Sequence, residues 1–232
     1  AELGLPAGRM DVLGAGSVVG TDVARAVTIS EDAGLRERVR RDWGAGDDEF
    51  VVGFVGRVTR DKGVETLARA VAEIRGSGIR ARLVLVGLDE GTELLAHDVQ
   101  TLLHEPWVTL TGNLEDPAEQ YAGFDAFCLP SHREGLPTVV LEAWATGLPV
   151  VVSNCTGLGD LVADGETGLV TPTGDQAATS AALRALATDS SLRASLGTAG
   201  RSRATRDFAR PVVWAAFTRY IELARSARRS RT

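Results

Sequence analysis

The strongest constraint on this chain is a pair of short, nearly continuous apolar runs with a helix-period stretch between them. Phe50 to Val55 reads FVVGFV and Ala81 to Val86 reads ARLVLV, each followed at once by glycine. Runs this rich in β-branched and aromatic residues suit strands buried on both faces, not the alternating strands of a half-solvated sheet. Between them Val64, Leu67, Ala68, Val71 and Ile74 repeat at the helical period, and Gly76-Ser77-Gly78 closes the stretch. The alternation continues along the chain. It predicts a helix over 92–104, a strand over 107–110, a helical turn over 117–122 and a strand over 125–129 stopped by Pro130. A helix over 138–146 closed by Gly147, a strand over 149–152, a short helix over 159–163 and a last strand over 168–170 follow. Helices near 175–188, 190–204 and 210–228 fill the remainder. The connections are too long for hairpins, so the strands are parallel with helices on both faces. This is an α/β fold, a doubly wound, Rossmann-like sheet. Such sheets bind ligands beyond the carboxyl ends of their strands.

The flanks read differently. Residues 1–30 are Gly-rich and irregular, with one short apolar stretch, Met10 to Leu13, as a first strand, and serve as a connector. Residues 31–208 form the doubly wound domain, opening on a charged helix over 31–43 with Arg36, Arg38, Arg40 and Arg41 exposed. Residues 209–232 form a C-terminal helix and basic tail. A 44% hydrophobic composition is ample for a core and excludes a disordered chain. Cys128 and Cys155 both adjoin apolar runs, and are expected to be buried small hydrophobes in a reducing compartment. No basic start with an apolar run opens the chain, and no stretch approaches ~18 apolar residues. A cytoplasmic location follows as an expectation, with peripheral contact at the inner face of the membrane as an option.

Charge narrows the function. The net charge is −6, which disfavours a reader of nucleic-acid phosphates. Residues 201–232 hold nine Arg against Asp207 and Glu222, a net of +7 that leaves −13 to residues 1–200. Of the 25 basic residues 24 are Arg, and the sole Lys is Lys62. It lies in Gly56-Arg57-Val58-Thr59-Arg60-Asp61-Lys62-Gly63, directly after the first strand. Gly56 lets backbone approach a ligand there. Arg57 and Lys62, five apart and beside a helix start, form a clamp for a diphosphate. After the fourth strand comes Pro130-Ser131-His132-Arg133-Glu134-Gly135-Leu136-Pro137-Thr138. Gly135 relieves the turn, and Pro137 pre-sets the helix start. Glu142, eight residues after Glu134, is flanked by Val139, Val140, Leu141, Ala143 and Trp144. A carboxylate in that setting is half-buried against a hydrogen-bonding partner, or else a lone exposed residue. His97 and His104 read as solvent-facing, Asp89 and Glu90 as rim residues. Trp43, Trp107, Trp144 and Trp214 read as core or interdomain packing. Three scattered His and no Cys/His cluster give no zinc site.

Taken together, GRVTRDKG and PSHREGLPTVVLEAWATGLPVVVSN resemble the retaining glycosyltransferases of family four, which have the GT-B fold. GLGDLVADGETGLVTP and, near the start, GSVVGTDVARA are similar to further stretches of that family. The resemblance covers nearly the whole chain and implies the carboxyl-side, donor-binding half of such an enzyme, one that builds bacterial polysaccharide or glycoconjugate. It implies that Arg57 and Lys62 bind the diphosphate of a nucleotide sugar, UDP first and GDP next. Glu142 would hold the ribose hydroxyls and Glu134 the transferred sugar. Backbone amides between Gly135 and Thr138, through Leu136 and Pro137, would meet the phosphates. Gly112 to Asp116, with Asn113 and Leu114, would flank the base. No cofactor or metal is implied, because cations and a helix dipole neutralise the departing diphosphate.

The family has two Rossmann-like halves, and the acceptor half is not in this sequence. The chain is therefore expected to be a separated domain or one half of a split enzyme, with little transferase activity alone. The Arg-rich tail reads as a solvated end, with contact to an anionic lipid surface as the alternative. A non-catalytic sugar-nucleotide sensor or subunit, and a sugar-nucleotide 2-epimerase, are the alternative functions. A dinucleotide-binding or flavodoxin-like module would need a Gly-x-Gly-x-x-Gly turn that GRVTRDKG lacks.

Overall fold

A computed structural model of the chain describes residues 16, 17 and 19–229. Its centre is one parallel six-stranded sheet in the order β3-β2-β1-β4-β5-β6. The strands are β1 (Phe50–Val55), β2 (Ala81–Val86), β3 (Val108–Gly112), β4 (Ala126–Leu129), β5 (Val150–Ser153) and β6 (Leu169–Thr171). Every residue of β1, β2, β4 and β5 is buried, as continuous apolar runs require, while the edge strands β3 and β6 are only partly covered. Helices α3 (Val64–Gly76), α4 (His97–Leu102) and α6 (Gln176–Thr188) pack together. Helix α5 (Thr138–Ala145) packs with α1 (Val23–Glu31) and α7 (Ser190–Arg203). Because the strand order reverses at β1/β4, right-handed crossovers place these two groups on opposite faces. Helices α2 (Ala33–Asp42) and α8 (Arg210–Arg229) complete the elements.

Several expectations need correction. The segment read as an irregular connector contains α1, and the charged stretch after it is a separate helix, α2. Asp22 and Asp32 start them by accepting the amide protons of Arg25 and Leu35, so Asp32 both ends one helix and caps the next. The segment over 92–104 is a single 3₁₀ turn, Thr92–Leu94, followed by the short α4. Residues 159–161 lie in hydrogen-bonded turns, and 159–163 contain no helix. The strand at Met10 to Leu13 lies outside the described residues. Among the tryptophans, Trp43, Trp107 and Trp144 are buried, but Trp214 is exposed, its indole N–H donating to the Val19 carbonyl. Cys128 is buried as expected, whereas Cys155 is half-buried.

The exposed face assigned to the charged helix is also wrong in one informative place. Arg40 is buried, and Arg36 is half-buried. Both reach Asp125, at the amino end of β4: Arg36 Nη2 to Oδ1 at 2.6 Å and Arg40 Nη1 to Oδ2 at 3.1 Å. The Val51 amide of β1 donates to the same Oδ2 at 2.7 Å. Arg40 further donates to the carbonyls of Gly46 and Glu49, and Arg36 to those of Ala122 and Phe124. A buried guanidinium is tolerable only with its donors used, and here they are. Gly53 of β1 faces the Phe124 ring, where a Cβ would lie 2.2 Å from a ring carbon; this is why the run reads FVVGFV. Asp125→Ala leaves Arg40 and the Val51 amide without their acceptor. It is expected to cost about 3 to 5 kcal/mol of stability in urea unfolding. A loss below about 1 kcal/mol would show that the network does not hold α2 to the β1/β4 pair.

Candidate functional site

The reversal of strand order at β1/β4 leaves a crevice at the carboxyl ends of these strands, where two loops meet. The first runs from Gly56 to Gly63, with a 3₁₀ turn at Arg60–Lys62. The second runs from Pro130 to Pro137, into α5. They touch through backbone. The His132 amide donates to the Asp61 carbonyl at 2.9 Å. Gly63 sits at φ +75°, and a Cβ on it would lie 2.0 Å from the Pro130 carbonyl oxygen, so no other residue fits. The loop after β5 backs the second one: the Glu134 amide donates to the Thr156 carbonyl at 3.1 Å.

The two loops enclose a cleft of about 300 Å³ lined by Gly56, Arg57, Lys62, Glu134, Leu136, Pro137 and Thr138 among others. Seven of the residues singled out from the sequence thus converge on one space. At its floor Lys62 Nζ donates to Glu134 Oε1 at 2.7 Å, and the Ser131 hydroxyl donates to the same oxygen at 2.8 Å. These two side chains are 19% and 11% exposed, so the pair is largely withdrawn from water. Arg57, at the rim, donates to Glu90 at 2.9 Å and lies 3.9 Å from Asp61. The two cations are therefore each matched by carboxylates, and do not stand as the free clamp that spacing alone suggests. The start of α5 has no side-chain cap. The amides of Gly135, Leu136, Thr138 and Val139 donate to no acceptor among the described residues. Unpaired amides at a helix start attract anions, and here they border the same cleft as Lys62. Gly135 does not adopt a left-handed turn, and a Cβ on it would meet nothing within 4 Å. Its place is open space beside the backbone, a correction to its expected role in the turn.

Glu142 opens into a second cavity of about 370 Å³, walled by α1, the 3₁₀ turn Ala118–Gly123 and α5. Thr138 lines both cavities and joins them. The Tyr121 hydroxyl donates to Glu142 Oε2 at 2.9 Å, which is the half-buried, partnered carboxylate expected. Tyr121 stands 21 residues away on another element, so no local spacing announces it. Burial pushes the Glu142 carboxyl up from its ordinary value, against the opposing pull of the Tyr121 hydrogen bond. Asp116, also on this wall, is paired with Arg25. Asn113 is exposed and Leu114 packs against the core; neither lines either of these two cavities. Glu90, read from the sequence as a rim residue, is the partner of Arg57 at the rim, and Ser131 is a partner of Glu134. Ser131 had a signal, three residues before Glu134; Glu90 had only its place after β2.

A carboxyl with a raised folded-state pKa carries no penalty below its unfolded value, and destabilises as pH rises through the folded one. Glu142→Gln keeps an acceptor for Tyr121 and removes the charge. The variant is expected to melt about 2 to 4 °C above the wild type near pH 7, with the difference vanishing near pH 4. A pH-independent difference would sink this assignment.

Residues 36–203 match the family described as Glycosyl transferases group 1. The chain is 35% identical over 169 residues to the capsular polysaccharide biosynthesis glycosyltransferase CapM of Staphylococcus aureus, covering 72% of this chain and 44% of CapM. It is 31% identical over 214 residues to a D-inositol 3-phosphate glycosyltransferase of Corynebacterium kroppenstedtii, covering 87% and 45%. The chain spans about half the length of the curated relatives it matches. Among solved structures, Anabaena HepE in complex with UDP superposes with a TM-score of 0.76 at 21% identity, over 90% of this chain and 57% of that one. Sucrose-phosphate synthase from Thermosynechococcus elongatus gives 0.71 at 28% identity, over 90% and 52%. With a crevice at the switch point of its sheet and this family's sequence across 36–203, the chain belongs to the glycosyl transferases group 1.

Proposed function

We propose that this chain is the carboxyl-side, donor-binding half of a retaining glycosyltransferase that builds bacterial polysaccharide or glycoconjugate. UDP-sugar is the first candidate donor and GDP-sugar the second. The observation that carries the reading is the convergence of Arg57, Lys62 and the uncapped start of α5 on one cleft. In this reading Arg57, Lys62 and the amides between Gly135 and Val139 receive the diphosphate. The bond from the anomeric carbon to the diphosphate oxygen breaks, and these groups hold the charge that develops on the leaving group. The glycosyl unit passes to an acceptor hydroxyl, whose proton goes to an oxygen of the departing diphosphate. Glu134 accepts hydrogen bonds from the sugar, and Glu142 from the ribose in the adjoining cavity. Asn113 and Leu114 flank the base from the loop after β3. No resident cofactor or metal enters this scheme. That HepE was solved with UDP supports the choice of nucleotide.

Acceptor contacts and part of the sugar pocket belong, in this reading, to a second Rossmann-like half. The 232-residue chain alone is expected to bind donor weakly and transfer little; robust transfer by it would refute the division of labour. The basic C-terminal region is proposed to meet an anionic membrane surface. Trp214, Tyr220, Ile221 and Leu223 are exposed on α8, whose sequence also carries Arg219 and Arg225. No helix among the described residues is long and apolar enough to cross a membrane, so such contact would be peripheral. Co-sedimentation with phosphatidylglycerol vesicles is expected to fall when residues 225–232 are deleted, and to be unchanged if the tail is merely solvated.

The donor claim is tested by thermal shift against UDP-, GDP- and ADP-sugars. UDP compounds are expected to raise the melting temperature. Lys62→Ala, compared with its own ligand-free melting point, is expected to lose about tenfold or more in affinity, and Glu142→Ala to lose less. If neither UDP nor GDP compounds stabilise the wild type, the donor site is refuted.

A further inference from the structure

Arg57, assigned above to the donor diphosphate, is already engaged, and the group holding it lies outside the cleft lining. Its Nη1 donates to Glu90 Oε2 at 2.9 Å. Glu90 is carried there by backbone. The Val58 amide donates to the Leu88 carbonyl at 2.8 Å, and Val58 and Asp89 form a parallel bridge. The loops after β1 and β2 therefore continue side by side beyond the sheet. The Asp89 carboxylate accepts from the amides of Gly91 and Thr92 at 3.2 and 3.0 Å and from the Thr92 hydroxyl at 2.7 Å. These bonds fix the turn that presents Glu90, so its position does not depend on Arg57.

Neither cation lining the cleft is free for an anion as it stands. Arg57 and Lys62 face Asp61, Glu90 and Glu134, three carboxylates against two cations. A diphosphate that is to reach Arg57 or Lys62 has to displace or share one of these pairings. Glu134 is tied to Lys62 and Ser131, and Asp61 accepts from the Thr59 hydroxyl at 2.6 Å. The Glu90 carboxylate has no partner but Arg57 among the described residues, and its side chain is 37% exposed. Of the three it alone hydrogen-bonds Arg57, and its release breaks no other bond.

We propose that Glu90 is a counter-ion gate: it holds Arg57 at the rim of the cleft and is exchanged for the donor's diphosphate on binding. Glu90 is thus a positioning residue that sets the affinity threshold of the site. The inference rests on the donor reading of the cleft. An exposed ion pair is weak, so the threshold is modest and screened by salt.

The test is calorimetric titration of the 232-residue chain with UDP, and with GDP in parallel. Glu90→Gln is expected to bind about two- to fivefold tighter than wild type at low salt. The gain shrinks near 1 M salt. In an Arg57→Ala background the same substitution is expected to change nothing, because the gate acts through Arg57. Wild-type binding with no gain in Glu90→Gln would overturn the gate and leave the donor site standing. An equal gain in the Arg57→Ala background would overturn it too, by showing general repulsion. If neither wild type nor Glu90→Gln binds either nucleotide, both the gate and the donor reading fall.

Discussion

The parallel pairing of β1 with β4 is the constraint on which the rest of the molecule depends. It is short, with Val52 opposite Ala126 and Gly53 opposite Phe127. Sequential strands would not meet this way; β4 returns to the far side of β1 and starts the second half of the sheet. At its amino end the pairing is secured by charge in the interior. Asp125 accepts the Val51 amide and two guanidinium groups from α2, and the Phe124 ring occupies the space a Cβ would need at Gly53. At its carboxyl end the same pairing delivers two loops side by side, and Lys62 and Glu134 join them. The ion pairs at its two ends are consequences of a single strand neighbourhood.

The acidic body of the chain makes this local arrangement necessary. With −13 on residues 1–200, an anionic ligand gains nothing from the overall field. Attraction has to come from groups within contact distance: two cations and a row of unpaired amides at the start of α5. Lys62 suits its position because a compact ammonium can serve Glu134 and still turn a proton toward the cleft, where a planar guanidinium would demand a wider socket. The matched carboxylates keep the cleft from holding unpaired charge in a partly desolvated place.

Much of the sheet was legible because buried parallel strands announce themselves: FVVGFV, ARLVLV, AFCL and VVVS are apolar on both faces, and their glycines and prolines mark where they stop. The cleft was legible for the same reason, since its residues follow strand ends directly. What escaped depended on partners distant in sequence. Arg40 looked like a solvent-facing charge because its acceptor, Asp125, is 85 residues away. Tyr121 could not be linked to Glu142 by spacing, nor Glu90 to Arg57, because only the lateral packing of loops brings them together. Helix α1 escaped because its segment follows a Gly-rich stretch, although Asp22 was available as its cap.

Glu134 and Glu142, eight residues apart, also illustrate how spacing misleads without environment. One is on a loop, neutralised by a lysine; the other is on a helix, raised in pKa by burial and bonded to a tyrosine. They open into different cavities that share Thr138. A pair working together on one bond, as in a glycoside hydrolase, would look into the same space. Two carboxylates in adjoining spaces, with cations and helix amides beside the first, instead suit a ligand with hydroxyls at both ends and negative charge between. A nucleotide sugar, the ligand proposed above, has that form, and both carboxylates are carried by the segment that leaves β4.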